Sequence, residues 1–129
     1  MLWDVKNLKA HNVNAVRTSH YPQSPAFLDA CDELGLLVFT EMPGWQHIGD
    51  GAWKGRACAM LREMLLQNRN HPSIILWGVR INESVDDDEF YTRTNKSPTH
   101  WNLAGRTSGV RCLEKSHLLE RCLRLQRFL

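Results

Sequence analysis

Two carboxylates, two imidazoles, an amide and a guanidinium recur at comparable places in this sequence, each just after or within a short apolar run. His20 follows residues 14–19, and Glu41 follows 36–39 with His47 soon after. The pair Asn82-Glu83 follows 73–77, and Arg111 lies within 107–112. Carboxyl and imidazole groups can carry a proton, and all these side chains hydrogen-bond hydroxyls. The set therefore suits general acid/base chemistry on a polyhydroxylated substrate. Other chemistries find no support. The chain has neither GxGxxG nor GxxxxGK[ST] for a nucleotide, and no GxSxG nucleophile elbow. Cys31, Cys58, Cys112 and Cys122 show no CxxC spacing and no histidine at a zinc-ligand interval. They read as buried or half-buried free thiols, and no metal site is expected.

For those polar side chains to meet, the elements between them must bring every run out on one rim. The alternation of periodicities does this. Leu2, Val5 and Leu8 have helical spacing, and 14–19 then reads as a strand. Ser24-Pro25 is a helix start, with a capping hydroxyl before a proline at the first helical position. Phe27, Cys31 and Leu34 are its expected inner face, and Gly35 is placed to end it in a left-handed conformation. Leu36 to Phe39 is a continuous apolar strand of the kind buried in parallel sheets. A polar loop at 44–55 leads to a helix with Met60, Leu61, Met64 and Leu65 inward, which His71-Pro72 breaks. Residues 73–77 form the next strand, and Asp86 to Glu89 suit a helix N-terminus, with that helix stopped by Pro98. Residues 107–112 are the last strand. Four parallel strands alternating with helices make an α/β chain. Right-handed crossovers then gather the C-terminal strand ends, where parallel barrels keep their chemistry.

With 129 residues the chain is large enough for one small domain but short of a complete barrel, which runs to roughly 250. A composition of 43% hydrophobic and 23% charged residues is ordinary for a folded globular chain. A net charge of +2 gives no reason to expect nucleic acid or an anionic membrane as partner. No apolar run approaches the roughly 20 residues a bilayer span needs. The opening MLWDVKNLKAHN lacks a signal-peptide pattern, which leaves bacterial cytoplasm and periplasm both open.

The stretches NAVRTSHYP (14–22), FLDACDELGLLVFTE (27–41) and RNHPSIILWGVRINES (69–84) resemble family 2 glycoside hydrolases, which include β-galactosidases, β-glucuronidases and β-mannosidases. The resemblance covers nearly all of 1–116 and implies a partial (β/α)₈, or TIM, barrel. It implies a retaining mechanism with two glutamates, in which Glu83 is the general acid/base. It places Asn82 on the sugar 2-hydroxyl and matches His20, His47 and Trp77 to substrate-side positions, with Glu41 at the same rim. Nothing here matches the family's nucleophile, so this reads as a segment of a β-galactosidase-like enzyme acting on a β-glycoside, inactive by itself. A non-catalytic remnant or interaction fragment of such a gene is the alternative. The resemblance implies no organic cofactor; magnesium belongs to some full-length relatives, but no matching ligand set is visible here. An open set of barrel strands exposes edges through which the chain could self-associate.

Blander roles stand beside these. His20 could serve only its turn, His47 is a loop histidine, and Glu41 could simply pair with Arg17 or Arg80. Trp77 fits a core as well as a substrate platform, and Asp86 to Glu89 fit a solvated helix start better than a metal site. His71 and His100 read as loop residues. The family pattern has four residues between the tryptophan and the acid/base, whereas Gly78 to Asn82 makes five here. Strand side chains alternate with period two, so a bulge must absorb the extra residue, and irregular backbone is expected between Gly78 and Ile81.

The tail, 117–129, departs from the resemblance after Glu120, although Leu118, Cys122, Leu125 and Leu129 have the spacing of a short helix. Similar chains continue with a run of the type Asp-Val-Tyr-Ala-Tyr-Asn-Asp-Phe. Ordinary codons for that run, read from the third base, spell Cys-Leu-Arg-Leu-Gln-Arg-Phe, which is residues 122–128. The tail at 122–129 therefore reads as a frameshift product.

Overall fold

The computed structural model describes residues 1–100. Its order is α1 (Leu2–Ala10), β1 (Ala15–Arg17), α2 (Pro25–Leu34), β2 (Leu37–Glu41), α3 (Gly51–Asn68), β3 (Ile74–Gly78) and α4 (Asp88–His100). The strands form one parallel sheet in the order β1-β2-β3. This is the α/β alternation of a partial TIM barrel. The fourth strand expected at 107–112, with Arg111, and the tail at 117–129 lie outside the described residues. No described helix is long and apolar enough to cross a membrane.

Local signals set the element ends. The Ser24 hydroxyl accepts the Phe27 N–H, Pro25 opens α2, and Gly35 closes it at φ 67, a left-handed angle that glycine takes without a Cβ penalty. Asp50 caps α3 by accepting from the Trp53 N–H, so the helix starts at Gly51, inside the stretch expected to be loop. Asp87 accepts from the Phe90 N–H at the start of α4. That helix runs past Pro98 to His100. Proline removes only one backbone bond, and a helix already anchored by its first turns outlasts that loss.

Packing corrects several expected faces. In α2 the buried residues are Leu28, Ala30 and Cys31, while Phe27 and Leu34 pack only at the margin. In α3 the buried stripe is Ala57, Leu61, Met64, Leu65 and Asn68, and Met60 is 46% exposed. Met60 lies about 100° round the helix from Leu61 and about 40° beyond Met64, just outside the edge of the stripe. Cys31 and Cys58 are free thiols, and burial, then the nearby Asp32 charge, pushes the Cys31 thiol up to about 11.

The sheet is covered on one face. Val38 and Thr40 are buried against the core, whereas Leu37 is 41% exposed. Leu37, Phe39 and Glu41 share the other face by strand alternation, and pairing adds Arg17, Leu76 and Gly78 to it. In a closed barrel that face looks into the lumen. A register shift opposite Val38 and Phe39 makes Ile75 an extra residue of β3, and it too is exposed. At the other end of the sheet His71 is no idle loop residue. Its Nδ1 lies 2.6 Å from the Asp32 carboxylate, which also accepts the Ser73 N–H at 2.9 Å, tying α2 to the start of β3.

Candidate active site

Regular pairing of β3 ends at Gly78, and Val79 to Ile81 lie outside the strand. This is the irregular backbone that the extra residue demands. Parallel pairing returns for one bridge, Trp45 with Asn82, and Glu83 follows at φ 55. A left-handed angle costs a non-glycine residue about 1–3 kcal/mol and persists only where its surroundings hold it. Here the Gln46 N–H donates to the Asn82 carbonyl at 2.8 Å, and Ser84 Oγ donates to the Ile81 carbonyl at 2.8 Å. The Ser84 hydroxyl also meets the Tyr91 hydroxyl, and Arg80 lies over the Tyr91 ring, 4.3 Å from its centroid. Arg80 pairs with Asp86, not with Glu41.

Glu41, Arg17, His20 and Asn82 form one network at the strand ends. Glu41 is 3% exposed and pairs through one carboxylate oxygen with Arg17 Nε. Its other oxygen lies 3.1 Å from His20 Nδ1. Arg17 also donates to Asn82 Oδ1 at 2.9 Å and rests over the Phe39 ring. A guanidinium has only donors, so the amide oxygen of Asn82 must face it and the amide NH₂ is left for another partner. The close sheet depends on Gly78, because a Cβ there would meet Glu41 Cγ at 2.7 Å and Phe39 Cε2 at 3.0 Å.

Glu83 itself is exposed, and one of its carboxylate oxygens accepts from both Trp45 Nε1 and Gln46 Nε2, each at 3.0 Å. The Gln46 and Trp45 donors hold the carboxyl below its ordinary value, and His20 adds a smaller effect of the same sign. The His20 ring lies near parallel to Trp45, with centroids 6.5 Å apart.

The structure thus brings together Glu83, Asn82, His20 and Glu41. His47 sits further along the same loop, exposed, with its ring edge-on to Trp53 at 5.8 Å. Trp77 does not join them. It pairs with Thr40 and is 3% exposed within the core, on the sheet face opposite Glu41 and Gly78. Strand parity makes it a packing residue. Trp45 and Gln46 escaped the sequence reading because they sit in an aperiodic loop; their nearness to the end of β2 was the available signal.

The residues around Glu83 do not fit a magnesium ion. One Glu83 oxygen is occupied by two N–H donors, and both Glu41 oxygens face cationic or imidazole nitrogen. Among the described residues, the group with clustered ligand atoms is Asp29, Asp32 and His71, at the opposite end of the sheet.

Residues 1–100 match the family model for glycosyl hydrolases family 2, TIM barrel domain. The chain belongs to this family. A β-galactosidase of Thermoanaerobacter pseudethanolicus is 57% identical over 108 residues, covering 84% of this chain and 14% of the relative. A β-galacturonidase structure from Eisenbergiella tayi, bound to galacturonate, superposes with TM-score 0.66 at 29% identity, covering 78% of this chain and 20% of that one. A Parabacteroides merdae β-glucuronidase is 39% identical with TM-score 0.58, covering 63% and 10%. This glycoside hydrolase segment thus spans a small part of each relative's length.

Proposed function

We propose that this chain supplies the acid/base half of a retaining β-glycoside hydrolase of the β-galactosidase type, and that the nucleophile is a second glutamate outside it. The observation that carries the reading is Glu83, presented on the turn after β3 with an exposed carboxylate beside His20 and Asn82. In the first step Glu83 protonates the departing glycosidic oxygen; in the second it takes a proton from the attacking water. One N–H of the Asn82 amide serves the Glu83 carboxyl, and the second is suited to donate to a sugar hydroxyl. His20 and His47 are further candidates for substrate contact at the rim.

A general acid must start protonated. In this chain two donors favour the charged form of Glu83, so at neutral pH it is a carboxylate. A nucleophilic carboxylate about 5–5.5 Å away would push its proton affinity up, as like charges do. On this reading the described residues supply neither the nucleophile nor the protonated acid, and no hydrolysis of aryl β-glycosides is expected from the chain alone.

The test is a chimera in which residues 1–100 replace the matching stretch of the Thermoanaerobacter β-galactosidase. It should hydrolyse β-galactosides. Glu83→Gln should cut kcat/KM by roughly 10²–10⁴-fold on substrates with poor leaving groups. It should spare glycosylation with dinitrophenyl substrates, which leave without a proton. Equal losses on both, or none, would contradict the assignment.

A further inference from the structure

Trp45 and Gln46 touch Glu83 in a way that a chance loop contact does not explain. Both donate to the same carboxylate oxygen, each at 3.0 Å. The backbone is committed to this arrangement as well. Gln46 at φ 60 and Glu83 at φ 55 are both left-handed, and their two loops are stitched by the Trp45–Asn82 bridge and the Gln46 N–H to Asn82 carbonyl bond. Two strained non-glycine residues bonded to each other through their side chains mark a geometry that the surrounding fold enforces.

An oxygen that already accepts two N–H bonds is a poor place for a proton, because an O–H there would point at a donor. Resting on the acid/base reading of Glu83, we propose that Trp45 and Gln46 are positioning residues that reserve one Glu83 oxygen as a fixed acceptor and direct proton transfer through the other. When the glycosidic bond breaks, its electron pair stays on the leaving oxygen, which takes the proton from the free Glu83 oxygen and departs as an alcohol. The nucleophile meanwhile bonds to the anomeric carbon. The negative charge left on Glu83 is then met by donors already in place, which is preorganised stabilisation of the product state. In the second half the free oxygen takes a proton from water while the water oxygen bonds to the anomeric carbon. The carbon–nucleophile bond breaks with its electron pair returning to the nucleophile.

The titratable and charged groups around Glu83 are His20, stacked on Trp45, and behind it the Arg17–Glu41 pair. Lys54 on α3 pairs with Asp87, just before α4, and Arg80 is held by Asp86. Changing Trp45 or Gln46 leaves each of these charges in place, so a change in Glu83 titration reports the lost donor.

The experiment is a pH titration of the side-chain carboxyl carbons in the full chain labelled with ¹³C-glutamate, with the Glu83 signal identified by its loss in Glu83→Gln. Gln46→Leu and Trp45→Phe should each move the Glu83 midpoint upward, and the double variant further. Phenylalanine keeps a ring against His20 while removing the N–H. An unmoved midpoint in both single variants would overturn the proposal. In the chimera, each variant should lower kcat/KM on poor-leaving-group substrates roughly ten- to a hundredfold, as misplaced catalytic groups do, and spare glycosylation with dinitrophenyl substrates. Losses equal on both substrate types would also overturn it. If the midpoints move but Glu83→Gln leaves hydrolysis intact, the acid/base reading fails while the donor geometry stands. If Glu83→Gln behaves as expected and the midpoints stay put, only the positioning role fails.

Discussion

Removing the Glu41 carboxylate should loosen the whole rim, and its size can be worked from the contacts. Glu41 is 3% exposed and accepts from Arg17 and His20, so Glu41→Ala deletes two charge-assisted bonds in a nearly dry place. Breaking a fully buried pair by removing one partner costs about 3–5 kcal/mol, mostly for the charge left behind. Arg17 is not fully stranded, because its side chain is 30% exposed and keeps its bond to Asn82 Oδ1. Water and Asn82 recover part of the loss, which sets the expectation at about 2–3 kcal/mol. Glu41→Gln keeps the shape but loses the charge, and should fall between Glu41→Ala and the parent. With a urea slope of about 1–3 kcal/mol per molar, the midpoint for Glu41→Ala should drop by about 0.7–3 M in denaturation of the full chain followed by circular dichroism. An Arg17→Met background should shrink the effect, since the partner is already gone. A loss below about 0.5 kcal/mol, the level of an ordinary surface change, would refute the view that Glu41 is the anchor of the rim.

Other outcomes follow from the same contacts. Burial alone would raise the Asp32 carboxyl, but the Ser73 and His71 bonds outweigh it and hold the group below its ordinary value. Its stabilisation is therefore complete above the unfolded value of about 4 and is lost as pH falls through the lower folded value. Asp32→Asn should cost about 1–3 kcal/mol at pH 7 and flatten the acid limb of a stability–pH series; an unchanged acid limb would contradict the tie between α2 and β3. Leu37 and Ile75, 41% and 43% exposed on the uncovered sheet face, should drive concentration-dependent self-association in sedimentation runs. Leu37→Glu with Ile75→Lys should suppress it, whereas a parent chain that stays monomeric at every concentration would argue against an adhesive face.

The sequence is most legible where one residue type has one physical use. Ser24-Pro25 and Gly35 mark both ends of α2, and the apolar runs mark β2 and β3, because caps and two-sided burial leave plain signatures. The strand ends at Glu41 and Asn82-Glu83 could be placed on one rim because crossover handedness is fixed. Facing is harder. Trp77 and Glu83 are close in sequence, yet parity and the irregular turn put one in the core and the other in the open. Met60 was misplaced for a related reason, since a run of apolar residues in a helix does not say which shares the buried stripe. Trp45, Gln46 and the Asp32–His71 tie depend on contacts between distant segments, and nothing in their local sequence announces them.

The central claim is that Glu83 is the acid/base of a retaining pair, and azide rescue of a Glu83→Ala chimera tests it most directly. Without that carboxylate, dinitrophenyl β-galactoside should still form a glycosyl-enzyme, which then breaks down slowly because no base activates water. Azide needs no base and can enter on the vacated face. Turnover should therefore rise with azide concentration, and the product should be the β-galactosyl azide, with configuration retained. No acceleration by azide would contradict the assignment, and an α-configured azide would place Glu83 as the nucleophile instead.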